Sequence, residues 1–123
     1  KQHEVVYSYG FYLRRFVKNI QDKGATAIIC SPIPRNAWAG TQVRRSDYAL
    51  WAKEAAQQSG AFFIPLQDQV IAQYETMGKK KVETEFFDPK DATHTIKAGA
   101  LLNAQLVAEQ LKAQPKMGLK KFM

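Results

Sequence analysis

Two short apolar runs constrain this chain more than any other feature. Ala25-Thr26-Ala27-Ile28-Ile29-Cys30 and Ala61-Phe62-Phe63-Ile64-Pro65 are nearly unbroken, rich in β-branched and aromatic residues, and too short for helices. Such runs suit strands covered on both faces, as in a parallel sheet flanked by helices. Between them, Tyr48, Trp51, Ala52 and Ala55 fall on one helical face and Lys53, Glu54 and Gln57 on the other. Ser46 or Asp47 can cap that helix and Gly60 can stop it. Strand, helix, strand is a βαβ unit, which calls for parallel pairing and a right-handed crossover.

The rest of the chain is helical by pattern. Tyr9, Tyr12, Leu13, Phe16, Val17 and Ile20 repeat at helical spacing between a Ser8 cap and a Gly24 stop, opposite Arg14, Arg15, Lys18 and Asp22. After the second strand, Val70, Ile71, Tyr74 and Met77 predict a third helix that breaks at Gly78. A short helix with Val82 and Phe86 inward precedes Asp88-Pro89. The last helix, capped by Thr95, is expected to turn Ile96, Ala100, Ala104, Val107, Ala108 and Leu111 toward the core. From Gln114 the basic tail, with Pro115 and Gly118, reads as frayed. Ser31-Pro32-Ile33-Pro34 ends the first strand, because two prolines cannot serve a central ladder. The connection from there to about Arg44 is long, and long ordered connections often carry function.

The elements therefore run α-β-α-β-α-α-α in a single unit over residues 1–123, which is the α/β class. With only two strands the sheet is small for so many helices, and each strand keeps an open edge. The chain reads as the C-terminal part of a larger doubly wound parallel sheet. The edge of the first strand is then expected to be covered by the remainder of the same protein or by a homo-oligomer contact. The chain begins with Lys1, which reads as a processed or excised piece. The first residues show no signal-peptide pattern.

Composition excludes several classes. No apolar run approaches the roughly 20 residues needed to span a bilayer, so no membrane partner is expected. One cysteine, Cys30, leaves no intramolecular disulfide and reads as a small core residue. The other histidine is His3, and the acidic residues lack ligand spacing, so no metal and no cofactor is expected. The net charge of +7 raises the question of nucleic acid. The basic residues are scattered, with small clusters at Arg44-Arg45, Lys79-Lys80-Lys81 and Lys120-Lys121, and they do not alternate with aromatics as single-strand binders require. A solvated basic surface is the preferred reading.

Chemistry concentrates in Asp91-Ala92-Thr93-His94. A loop there can set Asp91 against the His94 ring, and a histidine held in this way can serve as a general base. The spacing equally suits a helix-entry loop with a capping Asp91 and a surface His94. In open α/β sheets the working site lies beyond the carboxyl ends of the strands, so Arg35, Asn36 and Trp38 can converge on the pair. Trp38 can stack on a sugar or anchor its loop. Arg35 can bind substrate, bond a carbonyl or remain solvated.

Several motifs in order resemble one family. Tyr9-Gly10-Phe11-Tyr12-Leu13-Arg14, Lys23-Gly24-Ala25-Thr26, Cys30-Ser31-Pro32-Ile33-Pro34-Arg35-Asn36 and Asp91-Ala92-Thr93-His94-Thr95 with Gly99-Ala100 are similar to the rhamnogalacturonan acetylesterase branch of the GDSL/SGNH hydrolases. The resemblance runs from about Tyr7 to Leu111. It implies the C-terminal portion of a flavodoxin-like serine esterase that removes acetyl groups from a pectin-type polysaccharide or oligosaccharide. On that footing Asp91 is the orienting acid and His94 the base of a Ser-His-Asp triad, and Arg35, Asn36 and Trp38 are substrate-binding candidates. The family's Gly-Asp-Ser nucleophile, its oxyanion glycine and its Gly-x-Asn-Asp block do not occur in this sequence. Ala92 stands where relatives often carry a polar residue. The chain alone is then expected to be inactive. The resemblance also implies a secreted or periplasmic setting. The alternative is a non-catalytic carbohydrate-binding or interaction module on the same scaffold.

Overall fold

In the computed structural model, residues 5–114, 116, 118 and 119 are described. The two apolar runs are the central strands, β1 (Ile28–Cys30) and β4 (Phe62–Ile64), paired in parallel with Ile28 opposite Phe62, Ile29 opposite Phe63 and Cys30 opposite Ile64. The extended ladder stops short of Ala25-Thr26-Ala27 and Ala61. Ala25 N instead donates to Ile20 O, which ties this stretch to the preceding helix. The molecule is α/β, a two-stranded parallel sheet flanked by helices. Among the described residues β1 has one strand neighbour, β4.

The helices form where the apolar repeats place them, although Tyr12, Phe16 and Ile20 of the apolar face expected for the first helix are exposed and Val17 is its buried residue. In α1 (Tyr9–Asp22), Ser8 Oγ accepts from Phe11 N. In α2 (Asp47–Ser59), Ser46 Oγ accepts from Tyr48 N, and Gly60 ends the helix at φ 72°, a left-handed turn in which a side chain would be strained. Then come α3 (Leu66–Met77), α4 (Lys79–Phe86) and α5 (Lys97–Lys112). No helix among the described residues is long and apolar enough to cross a membrane.

The sheet separates two cores because side chains alternate along a strand. Ile28 and Ile64 face a cluster containing Val43, Val70, Ile71, Tyr74, Val82, Phe86, Phe87 and Leu106. Ile29 and Phe63 face Val17, Ala27, Ala52, Ala55 and Ala56, where α1 and α2 approach closely over small side chains.

Several expectations are corrected. The stretch from Ser31 to Arg44 contains a short hairpin, β2 (Trp38–Ala39) with β3 (Gln42–Val43), turning at Gly40. Asp91–His94 lies in a strand rather than a loop: β5 (Phe87–Asp88) pairs antiparallel with β6 (Asp91–Thr95). Strands this short escape a search for alternating runs. The α5 face is partly rotated from the one expected: Val107 and Leu111 pack against the larger core as expected, and Gly99 and Leu106 are buried, whereas Ile96, Ala100 and Ala104 are exposed. Gly99 sets that rotation, because a Cβ there would meet Thr95 Cβ at 2.8 Å. Ile96 occupies the α5 cap position without a side-chain bond, so Thr95 is not the cap. Tyr48 and Trp51 are exposed while the alanines of α2 are buried, because only small residues let α2 approach α1. Cys30 is exposed rather than core. The tail read as frayed falls largely outside the described residues.

Candidate active site

The β5–β6 turn builds the Asp91–His94 unit. Asp88 Oδ1 accepts from Lys90 N at 2.8 Å, which tightens the turn leading into Asp91. Asp91 Oδ1 then accepts from Thr93 N at 2.8 Å and His94 N at 3.0 Å. These bonds fold the backbone around the carboxylate and bring the His94 ring back onto it. His94 Nδ1 and Asp91 Oδ2 are 2.8 Å apart. In the neutral ring beside an ionised Asp91, Nδ1 carries the proton and donates, which leaves Nε2 with its lone pair. The His94 side chain is 82% exposed, so Nε2 is open to an incoming group.

Asp91 is held well below the usual carboxylate range, at about 2. The backbone N–H of His94 contributes most, then that of Thr93, then the ring bond, all of which favour the charged form. Asp91 therefore stays anionic through the neutral range and keeps the imidazole in one tautomer.

Asn36 reaches this unit and Trp38 follows it. Asn36 N donates to Ala92 O at 2.8 Å, stitching the proline-rich connection to β6 between Asp91 and His94. Asn36 Oδ1 accepts from Trp38 Nε1 at 2.9 Å. The Trp38 ring is half-buried against the larger core, so in this arrangement the indole anchors its loop. A shallow depression of about 440 Å³ lies beside Asn36 and Ala92, bordered by Glu83, Thr84, Asp88 and Pro89. Arg35 is exposed and lines a different depression, on the other side of the connection, together with Arg44, Tyr48 and Trp51.

The four serines of the chain all have structural roles. Ser8 and Ser46 cap helices. Ser59 Oγ donates to Ala55 O at 2.6 Å. Ser31 is buried, and its Oγ accepts from Gln67 N at 2.8 Å. Gln67, which sequence reasoning missed, is also buried and links the start of α3 to the loop before α2 through Ser46 N, 3.1 Å from its Oε1. A glutamine on a helix carries no local sign that it will be buried. Among the described residues no group of three or more His, Cys, Asp or Glu stands ready to hold a metal ion.

No protein-family model matches the chain, and no curated protein matches it. Among solved structures it is similar to the X-ray crystal structure of protein YxiM from Bacillus subtilis, with 22% sequence identity and a TM-score of 0.77. The match covers 86% of this chain and 31% of that one, so the chain spans less than a third of that protein's length. The likeness is one of fold. It extends over nearly all the elements described above.

Proposed function

We propose that the chain supplies the acid and base of a serine carbohydrate acetylesterase acting on a pectin-type, rhamnogalacturonan-like glycan. The observation that carries this reading is the 2.8 Å contact between His94 Nδ1 and Asp91 Oδ2, with the rest of the ring turned to solvent. The ordered resemblance to the GDSL/SGNH hydrolases supports the choice of reaction. Since each serine of this chain is engaged elsewhere in the fold, the nucleophile comes from another segment, either the remainder of the protein or a partner.

In this mechanism His94 Nε2 accepts the proton of that serine hydroxyl as its oxygen attacks the acetyl carbonyl. The resulting imidazolium is stabilised by Asp91. It returns the proton to the departing sugar oxygen as the tetrahedral intermediate collapses to an acetyl-serine. Water then repeats the sequence and releases acetate, with His94 again taking and returning one proton. The oxyanion requires preorganised donors, which the resemblance assigns to segments outside this chain.

The test compares the isolated chain with the full-length protein on an aryl acetate. The isolated chain is expected to show no serine-type turnover. In the full-length protein His94→Ala is expected to lower kcat by roughly 10⁴-fold or more. Turnover by the isolated chain at the full-length rate, or an unaffected His94→Ala variant, would refute the proposal.

The engagement of all four serines also favours a second reading, a carbohydrate-binding or interaction module without catalysis. Under it, glycan binding persists in His94→Ala and the full-length protein has no esterase activity that His94→Ala removes.

A further inference from the structure

The β5–β6 ladder alone does not hold the segment that carries the acid–base pair. Asp88 is opposite Asp91 and Phe87 is opposite Thr95, so Ala92, Thr93 and His94 bulge outward without partners on β5. These residues are also exposed, so no packed core shapes the bulge. Its shape rests on hydrogen bonds, and one peptide unit receives two of them. Ala92 C=O and Thr93 N–H belong to the same rigid plane. Thr93 N donates to Asp91 Oδ1 at 2.8 Å, while Ala92 O accepts from Asn36 N at 2.8 Å. Pinned at both ends, the plane cannot turn without breaking a bond. It leads directly into His94.

Asn36 is itself held from behind. Trp38 Nε1 donates to Asn36 Oδ1 at 2.9 Å, and because an indole nitrogen is a donor only, the carboxamide oxygen is the end that meets it. The Trp38 ring packs against the larger core. Val43, opposite Trp38 in the β2–β3 hairpin, is buried, and its N–H donates to Glu75 Oε1 on α3 at 2.9 Å. Arg44 N donates to Ala37 O and Ala37 N to Arg35 O, each at 2.8 Å, which closes the chain around Asn36. A continuous line of contacts thus runs from α3 through the hairpin and the indole to the Ala92–Thr93 peptide.

We propose that Trp38 and Asn36 are positioning residues for the acid–base pair: the indole N–H fixes Asn36, and Asn36 fixes the peptide plane that sets the His94 ring on Asp91. The inference rests on the acid–base reading above and gives these two residues a part in it that involves no contact with substrate. The rival role is direct ligand contact by Trp38. That role needs an indole free to offer its face, whereas this ring is half-buried and its nitrogen is engaged. A His94 ring released from this geometry remains an imidazole, but it spends less time with Nδ1–H on Asp91 and an unprotonated Nε2 turned outward. Fewer encounters with a serine hydroxyl are then productive.

The experiment reads the neutral His94 ring in the whole chain by its imidazole nitrogen chemical shifts, which distinguish the Nδ1–H from the Nε2–H tautomer. His3 is the other histidine, so His94→Ala assigns the signals. The parent is expected to be predominantly Nδ1–H. Trp38→Phe, which keeps an aromatic ring but no donor, and Asn36→Ala, which removes the acceptor, should each move His94 toward the tautomer mixture of an unrestrained histidine. Asn36→Asp, which restores an acceptor for the indole, should keep the parent tautomer. In the full-length protein acting on an aryl acetate, Trp38→Phe and Asn36→Ala are each expected to lower kcat about ten-fold with KM within about two-fold, the scale of one hydrogen bond. The Trp38→Phe/Asn36→Ala double variant should lose no more than the worse single variant, because both break the same link. Circular dichroism checks folding, and if Trp38→Phe unfolds, the Asn36→Ala and Asn36→Asp pair carries the comparison. A parent tautomer in the disrupted variants, additive losses in the double variant, or an effect on KM alone would overturn the proposal. The tautomer is read without turnover, so an inactive full-length protein with a shifted tautomer in the variants would refute the esterase reading and leave the positioning role standing.

Discussion

The two faces of the β1–β4 sheet are built on opposite principles. One is packed with large side chains: Tyr74, Phe87, Ile64, Ile71, Val70 and Val82 are all essentially buried. The other is packed by closeness. Val17 and four alanines, Ala27, Ala52, Ala55 and Ala56, with Ile29, fill it, while Phe16 is 64% exposed on α1 and Trp51 is 42% exposed on α2. The first face draws its stability from side-chain volume, so it is sensitive to deletion. The second draws on helix–sheet proximity, so it is sensitive to insertion, and it leaves its large residues outside for other contacts. The functional candidates follow the same division. The Asp91–His94 unit is braced against the large-residue core through Phe87 and Phe86. The depression lined by Arg35, Arg44, Tyr48 and Trp51 lies at the start of α2, the helix whose alanines help fill the second face.

Deletion on the first face should give the largest effect. Phe87→Ala is expected to cost roughly 3–5 kcal/mol in urea unfolding, since the cavity cannot collapse between α3 and β6. A cost under about 1 kcal/mol would mean that this core is loosely packed. Insertion on the second face comes next. Ala55→Leu should cost about 1–3 kcal/mol by forcing α2 away from α1 and β1. If it were neutral, the close approach of α1 and α2 would not be a stability determinant.

Tyr74 sharpens the first face further. Its hydroxyl is buried without a hydrogen-bond partner among the described residues, and burial pushes it up to about 12. The ordinary value is 10, so the phenol's folded-state value is raised. Its contribution is therefore fully present below pH 10 and is lost as pH rises through about 12, as the unfolded state ionises first. Tyr74→Phe should leave neutral-pH stability within about 1 kcal/mol of the parent or above it. It should also flatten the alkaline loss measured by unfolding between those two values. An unchanged alkaline profile would assign that loss to other groups.

The smallest effect belongs to the exposed side. Phe16→Ala should change stability by no more than about 0.5 kcal/mol. A larger destabilisation of the chain in isolation would place Phe16 in a core contact and erase the contrast between the two faces.

Much of the fold was legible because periodicity records burial. The strand centres Ile28–Cys30 and Phe62–Ile64, the Ser8 and Ser46 caps and the Gly60 stop all follow from local chemistry that neighbours merely confirm. The errors lie where two faces compete. Tyr48 and Trp51 look like core residues by hydrophobicity, yet α2 turns its alanines inward because the helix–helix distance admits nothing larger. Similarly, α5 is rotated by Gly99, whose missing side chain allows close packing that a count of apolar residues undervalues. At the candidate site, the three-residue spacing of Asp91 and His94 was visible. The β5–β6 turn that presents them and the Asn36–Ala92 bond that joins them to a distant loop were not.

What the sequence determined by itself is local: which segments are helices or strands, where they are capped, and that a carboxylate and an imidazole lie within reach of each other. Only the tertiary structure decided which face each helix buries, that Asn36 meets β6, and that Arg35 stands with Arg44 and Trp51 rather than with His94. Caps and periodicity depend on neighbours a few residues away. Facing and convergence depend on which elements fit at contact distance, and that is set by side-chain volumes far apart in the chain.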